Sequence, residues 1–313
     1  MLYNEIINTI TYKELDMNQK QFTRMKNDEG FIAALDQSGG STPKALRAYG
    51  IEEDQYSNDK EMFDLVQEMR SRIITSKSFT SEHILAAILF KNTMDRKIDG
   101  LYTGDYLWEK KGIVPILKID SGLAEQKDGV QLMKPMPELD DLLKRAKERN
   151  IFGTKMRSII HEANAEGVKK IVEQQFEYGK KIAAAGFVPI IEPEVDITSS
   201  TKKEAEGMLI SEIKKQLSKL DESVKIMLKI SIPSVAGAYS ELMKDPRVVR
   251  IVALSGGYSR DDADKLLAKN PKLIASFSRA LLSDLSVKQT QEEFDKVLAD
   301  AIDEIYRASV VKS

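Results

Sequence analysis

Ile84-Leu85-Ala86-Ala87-Ile88-Leu89-Phe90 is an unbroken apolar run, shorter than an ordinary helix and without the polar alternation of a strand wetted on one side. Such a run marks a strand covered on both faces, as in parallel sheets. Seven more β-rich runs, each bounded by Gly, Pro or polar residues, accompany it: Gly30–Asp36, Ile113–Ile119, Ile151–Met156, Phe187–Glu192, Val224–Ile230, Val248–Ser255 and Leu273–Phe277. Amphipathic segments separate them. Eight buried parallel strands with helical connections predict an α/β fold, a single-domain (β/α)8 TIM barrel, and a length of 313 residues suits one such barrel with insertions.

The connections carry helix signals of their own. Leu139, Leu142, Leu143 and Ala146 recur at helical spacing after Pro137, with Lys144, Lys147 and Glu148 left to water. Asn164 is placed to cap the helix bearing Val168, Ile171 and Gln175, which Gly186 ends. Ser259 caps Arg260–Lys269, and Thr290 with Glu293 forms a capping box for a last helix with Phe294, Val297, Leu298, Ala301 and Ile305 inward. Residues 43–83 and 91–112 exceed minimal crossovers and should hold extra helices.

Composition narrows the function. A net charge of −2 gives no general basic field for nucleic acid, and no apolar run is long enough to span a bilayer, so a small ligand is expected, with no nucleic-acid or membrane partner. Zero cysteines excludes disulfides and thiol catalysis. The two histidines, His83 and His161, fall in different segments and read as ordinary surface or helix-start residues, so no metal site is expected. A cytoplasmic enzyme fits this picture; a homo-oligomer is left open. Lys13-Glu-Leu-Asp16 just precedes Met17, and Lys-Glu codons can spell a ribosome-binding sequence. Residues 1–16 are therefore read as a non-native or disordered extension before a barrel of residues 17–313, the alternative being a frayed N-terminal helix.

Three of the runs meet a charge: Ile151-Phe-Gly-Thr-Lys155, Val188-Pro-Ile-Ile-Glu192 and Val224-Lys-Ile-Met-Leu-Lys229. In β/α barrels the active site lies at the carboxyl ends of the strands, and there the polar residues gather: Asp36, Lys118, Lys155, Glu192, Lys229 and Ser255, with Ser276 and Arg279 about the eighth strand. Lys155 and Arg157 share one face of strand four, and Glu192 and Glu194 one face of strand five. Any single lysine is more often a solvated strand-end residue, but an amine in a dry barrel beside a second amine is driven toward its neutral, nucleophilic form. Such an amine attacks carbonyls, and Glu192 between two lysines reads equally as a salt bridge and as a proton-transfer group. Ser255-Gly256-Gly257 before the Ser259 cap, with Arg279 nearby, can cradle a phosphate. Ser38-Gly39-Gly40-Ser41 could do similar work or only turn the chain.

Taken together, Ala33-Ala-Leu-Asp36-Gln-Ser-Gly-Gly-Ser41, Leu117-Lys118-Ile-Asp-Ser-Gly122, Thr154-Lys155-Met-Arg157, Ile191-Glu192-Pro-Glu194, Leu228-Lys229 and Leu254-Ser255-Gly-Gly257 closely resemble the class I fructose-1,6-bisphosphate aldolases, particularly the short bacterial form. The likeness spans about Met17 to Ser309. It implies reversible cleavage of fructose 1,6-bisphosphate to dihydroxyacetone phosphate and glyceraldehyde 3-phosphate in glycolysis and gluconeogenesis, without metal or other cofactor. By the same resemblance Lys229 forms the Schiff base, Glu192 is the general acid-base, and Asp36, Lys155 and Glu194 assist. Ser255, Gly256, Gly257, Ser276 and Arg279 would then hold the ketose phosphate, with Ser38 and Ser41 in the same binding set, and Lys118 and Arg157 the phosphate at the aldehyde end.

Two departures stand out. Animal members end in a mobile tail whose tyrosine exchanges the enamine proton, whereas this chain ends Tyr306-Arg-Ala-Ser-Val-Val-Lys-Ser313, with Tyr306 expected to pack on the last helix. Ser276-Phe-Ser-Arg279 is also one residue shorter than the corresponding animal stretch. Two other readings are weaker: a transaldolase-like Schiff-base barrel for monophosphate sugars, which two separate cationic groups disfavour, and a sugar-phosphate-binding protein without catalysis, which the joint presence of Lys229, Glu192 and Lys155 disfavours.

Overall fold

Ile32 pairs with Ser276 and Leu117 with Thr154, joining the first barrel strand to the last and the third to the fourth. The computed structural model describes residues 18–313, so the expectation for residues 1–16 lies outside the described residues. The eight strands are β1 (Phe31–Leu35), β2 (Ile84–Leu89), β3 (Val114–Lys118), β4 (Gly153–Ile160), β5 (Val188–Val195), β6 (Ile226–Ser231), β7 (Val248–Leu254) and β8 (Ile274–Phe277). Each is hydrogen-bonded in parallel to the next, and β8 returns to β1, so the sheet closes into the expected barrel.

Closure separates two apolar regions. Inward residues at the start of the strands, such as Ile32, Leu85, Val114, Phe152, Ile190, Met227 and Ile274, fill the lower barrel, and Met25 from a helix over residues 18–27 completes that plug. Alternate residues face outward and pack under the helices. Leu139, Leu142, Leu143 and Ala146 are all buried in the helix Leu139–Lys147, each leucine contributing about 1.5–3 kcal/mol relative to exposure. The caps form as their sequence signals require: Asn164 accepts from Gly167 N at 2.9 Å, Ser259 from Asp262 N at 3.1 Å, and Thr290 and Glu293 cap reciprocally. The long β1–β2 connection holds the helices Ser41–Tyr49 and Asp59–Thr75, and the β2–β3 connection holds Lys91–Met94 and Thr103–Lys111.

The strand limits differ from expectation where it matters most. The fourth and fifth strands were expected to stop at Met156 and Glu192, but β4 runs to Ile160 and β5 to Val195. Lys155 is the third residue of β4, Glu192 the fifth of β5 and Lys229 the fourth of β6, so these charges point into the barrel from within strands. A charge or a proline resembles a strand end in sequence; here the charges neutralise one another across the barrel, which lets the backbone continue.

The C-terminus is anchored below the barrel. Lys312 Nζ donates to Leu273 O at 2.6 Å and Ala308 O at 2.8 Å, and Ser313 N to Ala268 O at 3.0 Å. Tyr306, expected to pack on the last helix, meets His83 edge-on at 4.4 Å just before β2 begins.

Candidate active site

Above the apolar plug the inward positions turn polar and line a cavity of 1210 Å³ at the carboxyl ends of the strands. Every residue expected at the site lines it except Gly257, which lies one step beyond its edge. Neither histidine does: His161 is held by Asp196 and Gln131, and His83 by Tyr306.

At its centre four buried side chains alternate in charge. Asp36 Oδ2 lies 2.5 Å from Lys155 Nζ, which lies 3.0 Å from Glu192 Oε2; the other oxygen of Glu192 lies 2.9 Å from Lys229 Nζ. All four are less than a tenth exposed. The charges balance, which is what makes their burial tolerable. Burial opposes the ionisation of Asp36, yet the positive charges of Lys155 and Lys229 outweigh it and hold the carboxyl well below the ordinary range. Burial likewise opposes the charge on Lys155, and Asp36, Glu192 and Asp120 overcome it, holding the ammonium well above the ordinary lysine range. Lys155 is a fixed cation. Glu192 bridges Lys155 and Lys229, as its reading between two lysines suggested.

A second cluster lies toward β3 and β4. Lys118 Nζ donates to Asp120 Oδ1 at 2.7 Å, and the other oxygen of Asp120 accepts from Arg157 N at 3.3 Å. Arg157 Nη1 donates to Glu194 Oε2 at 3.0 Å. Burial pushes the Glu194 carboxyl up against the pull of Arg157. Lys118 and Arg157 thus both line that end of the cavity, where they can meet an anion.

The third cluster follows β7 and β8. Gly256 and Gly257 have φ of +62° and +121°, conformations that L side chains rarely adopt. A Cβ on Gly256 would fall 2.6 Å from Ile197 Cγ2, so only glycine fits against the loop after β5. Arg279 Nη2 faces Gly257, and among the described residues Arg279 has no ion-pair or hydrogen-bond partner. Ser276 Oγ is buried with no hydrogen-bond partner among the described residues. Unpartnered cation, open backbone and free hydroxyl together suit a phosphate. Ser41 is less free: its hydroxyl donates to Ser38 O and accepts from Ser38 N, closing the turn after β1.

Several supporting residues escaped the sequence reading. Asp120 joins Lys118 to the backbone of Arg157, and its spacing of two from Lys118 was a usable signal. Gln175 accepts from Glu192 N at 2.8 Å and donates to Ser158 Oγ at 3.0 Å, a polar group in an otherwise apolar helix stripe. Arg70, fully buried, donates to Gln37 O at 2.7 Å and to Thr93 Oγ1, fixing the turn that follows Asp36.

The family model for glycolytic fructose-bisphosphate aldolase class-I matches residues 16–229. A relative from Clostridium acetobutylicum, named fructose-bisphosphate aldolase class 1, is 63% identical over 294 residues, covering 94% of this chain and 100% of that protein. Among solved structures, the fructose-bisphosphate aldolase of Plasmodium falciparum, determined with TRAP and a small-molecule inhibitor, is similar with a TM-score of 0.73. That likeness, at 18% identity over 95% of this chain and 96% of the other, concerns the fold.

Proposed function

Because the chain belongs to the class I fructose-bisphosphate aldolases, which cleave fructose 1,6-bisphosphate reversibly to dihydroxyacetone phosphate and glyceraldehyde 3-phosphate through a lysine Schiff base, we propose that Lys229 is the lysine and Glu192 its proton partner. The observation that carries this assignment is the single carboxylate shared by two amines, one of them locked as a cation. Lys155 holds Glu192 in place, and its own fixed charge leaves Lys229 as the amine that reacts.

In the cleavage direction Lys229 adds through its free amine to the C2 ketone, its surplus proton passing to Glu192 2.9 Å away. Glu192 returns a proton to the carbinolamine hydroxyl, water leaves and the iminium forms. A carboxylate of the cavity takes the C4 hydroxyl proton as the C3–C4 bond breaks, and the bonding electrons flow into the iminium to give the enamine. Glyceraldehyde 3-phosphate departs. Protonation at C3 and hydrolysis of the imine release dihydroxyacetone phosphate and restore Lys229.

The two phosphate-binding clusters support a substrate charged at both ends. Ser255, Gly256, Gly257, Ser276 and Arg279 hold the C1 phosphate, with the Ser38–Ser41 turn beside them, while Lys118 and Arg157 hold the C6 phosphate. In this reading the iminium is the electron sink and no metal takes part; full activity in chelator is expected. The same chemistry suits a cytoplasmic glycolytic enzyme, and among the described residues no helix is long and apolar enough to cross a membrane. Borohydride reduction with dihydroxyacetone phosphate, followed by mass spectrometry of peptides, tests the assignment. A label on any residue but Lys229, or full loss of activity in chelator, refutes it.

A further inference from the structure

The ladder between β5 and β6 is short beside the active site. β5 is paired with β4 along all eight of its residues, from Val188 opposite Gly153 to Val195 opposite Ile160, and β6 is paired with β7 up to Ser231. Between β5 and β6, however, register pairs exist only at Ile190–Met227 and Ile191–Leu228. The ladder stops one residue short of Glu192 and Lys229.

The cause is readable from backbone parity. Val188 N donates to Phe152 O and Asp196 N to Ile160 O, so the even-numbered N–H groups of β5 face β4 and the odd-numbered ones face β6. The odd-numbered residue next to Glu192 is Pro193, which has no N–H to give. The seam opens at that point. It is closed again by a side chain: Val195 N donates to Ser231 Oγ at 3.0 Å, and the same hydroxyl donates to Val195 O at 2.5 Å. Ser231 is 2% exposed, so neither bond is shared with solvent.

We propose that Ser231 is a positioning residue for the aldol reaction, its hydroxyl clamping β6 to β5 and so setting the gap between Lys229 and Glu192. This rests on the assignment of Lys229 and Glu192 given above. Ser231 lies two residues after Lys229 and Val195 three after Glu192, so the clamp is the nearest cross-strand tie above the reacting pair. The ladder bond missing beside the reacting pair is the one residue 193 would donate to β6, and its absence leaves the Ser231 hydroxyl to tie the two strands above Lys229 and Glu192. Gln175 holds Glu192 from the opposite seam, which leaves Ser231 to fix the Lys229 side.

Ser231→Thr and Ser231→Val are nearly identical in shape and differ in the hydroxyl, so the pair separates the clamp from the effect of an added methyl group. The Thr variant should keep kcat for fructose 1,6-bisphosphate within about threefold. The Val variant should lose roughly ten- to a hundredfold in kcat, at unchanged KM, as expected when a reacting group is displaced by a fraction of an ångström to an ångström. Imine formation from dihydroxyacetone phosphate, trapped with borohydride in single turnover, should slow by the same factor with the label still on Lys229. Should the Val variant not fold, Ser231→Ala, a truncation, is expected to show the same kcat loss, and adding Pro193→Ala, which restores the missing N–H, should recover part of it. Equal kcat in the Thr and Val variants, or a loss confined to KM or Tm, overturns the clamp. A wild-type label on another lysine instead refutes the active-site assignment, so the two failures are distinguishable.

Discussion

Lys229 Nζ rests 2.9 Å from Glu192 Oε1, close enough for a proton to pass between them without rearrangement. Lys229→Ala should therefore lower the cleavage rate by several orders of magnitude and abolish borohydride trapping, since no other group supplies the covalent step. Glu192→Gln should trap more slowly and lose about 10²–10⁴-fold in kcat. Because Gln leaves two buried amines facing one remaining carboxylate, thermal melts should also show a loss of about 3–5 kcal/mol. A Glu192→Gln protein with wild-type kcat would remove the proton-transfer role.

Asp120 joins Lys118 to the backbone of Arg157, so its effect should fall on one end of the substrate only. For Asp120→Ala we expect roughly a tenfold drop in kcat/KM with fructose 1,6-bisphosphate, about 1.4 kcal/mol, and little change with fructose 1-phosphate, which lacks the second phosphate. Steady-state assays with both sugars decide it. An equal loss on both would move Asp120 from phosphate binding to general architecture.

Gly256 meets two obstacles to substitution, a φ of +62° and the Ile197 methyl 2.6 Å from any Cβ. Gly256→Ala should raise KM for both sugars, since both carry the C1 phosphate. In an Ile197→Ala background the contact disappears while the backbone strain of about 1–3 kcal/mol remains. Recovery in the double variant should thus be partial, and full recovery would show that the contact alone matters.

Asp264, on the helix Arg260–Ala268, tests the pH dependence of stability. Burial and the neighbouring Glu304 raise its carboxyl from 3.8 to about 7, against the pull of Arg260. The folded state therefore holds this proton more tightly than the unfolded chain, and stability should fall as pH rises from about 4 to about 7. Asp264→Asn should raise Tm at pH 8 and leave it nearly unchanged below pH 4. Asp36 has the opposite sign: its depressed carboxyl contributes stability above 3.8 that is lost as the medium becomes more acidic. Melting curves across pH 4–8 that show no Asp264→Asn benefit at the alkaline end would contradict the burial argument.

Lys312 seals carbonyls at the end of the helix Gln291–Val310 and at the start of β8, far from the cavity. Lys312→Met should lower Tm and leave kcat and KM as they are. A fall in kcat at unchanged KM would instead indicate that the chain end reaches the active site, as the mobile tail of animal family members does.

The barrel was legible in the sequence because parallel strands covered on both faces leave continuous apolar runs, such as Ile84 to Leu89, that no amphipathic helix would produce. The inward charges were legible because Lys155, Glu192 and Lys229 each interrupt such a run. What could not be read was partnership. Nothing local in Asp120 or Gln175 says that one will join two cations and the other hold the amide of Glu192, because those contacts are made between strands or from a distant helix. The limits of β4 and β5 were misjudged for a related reason: a strand that carries charge inward is stable only once the opposite charge arrives from across the barrel.

The helix over residues 18–27 and the Lys312 anchor both lie at the closed end of the barrel: Arg24 donates to Ser81 O before β2 and to Ile84 O at its start, and Lys312 to Leu273 O before β8. The mouth is on the other side. A linker attached beyond either of these points would hold the molecule by its base, so a chain immobilised on a bead or joined to a carrier protein should turn over sugar phosphate as fast as one free in solution.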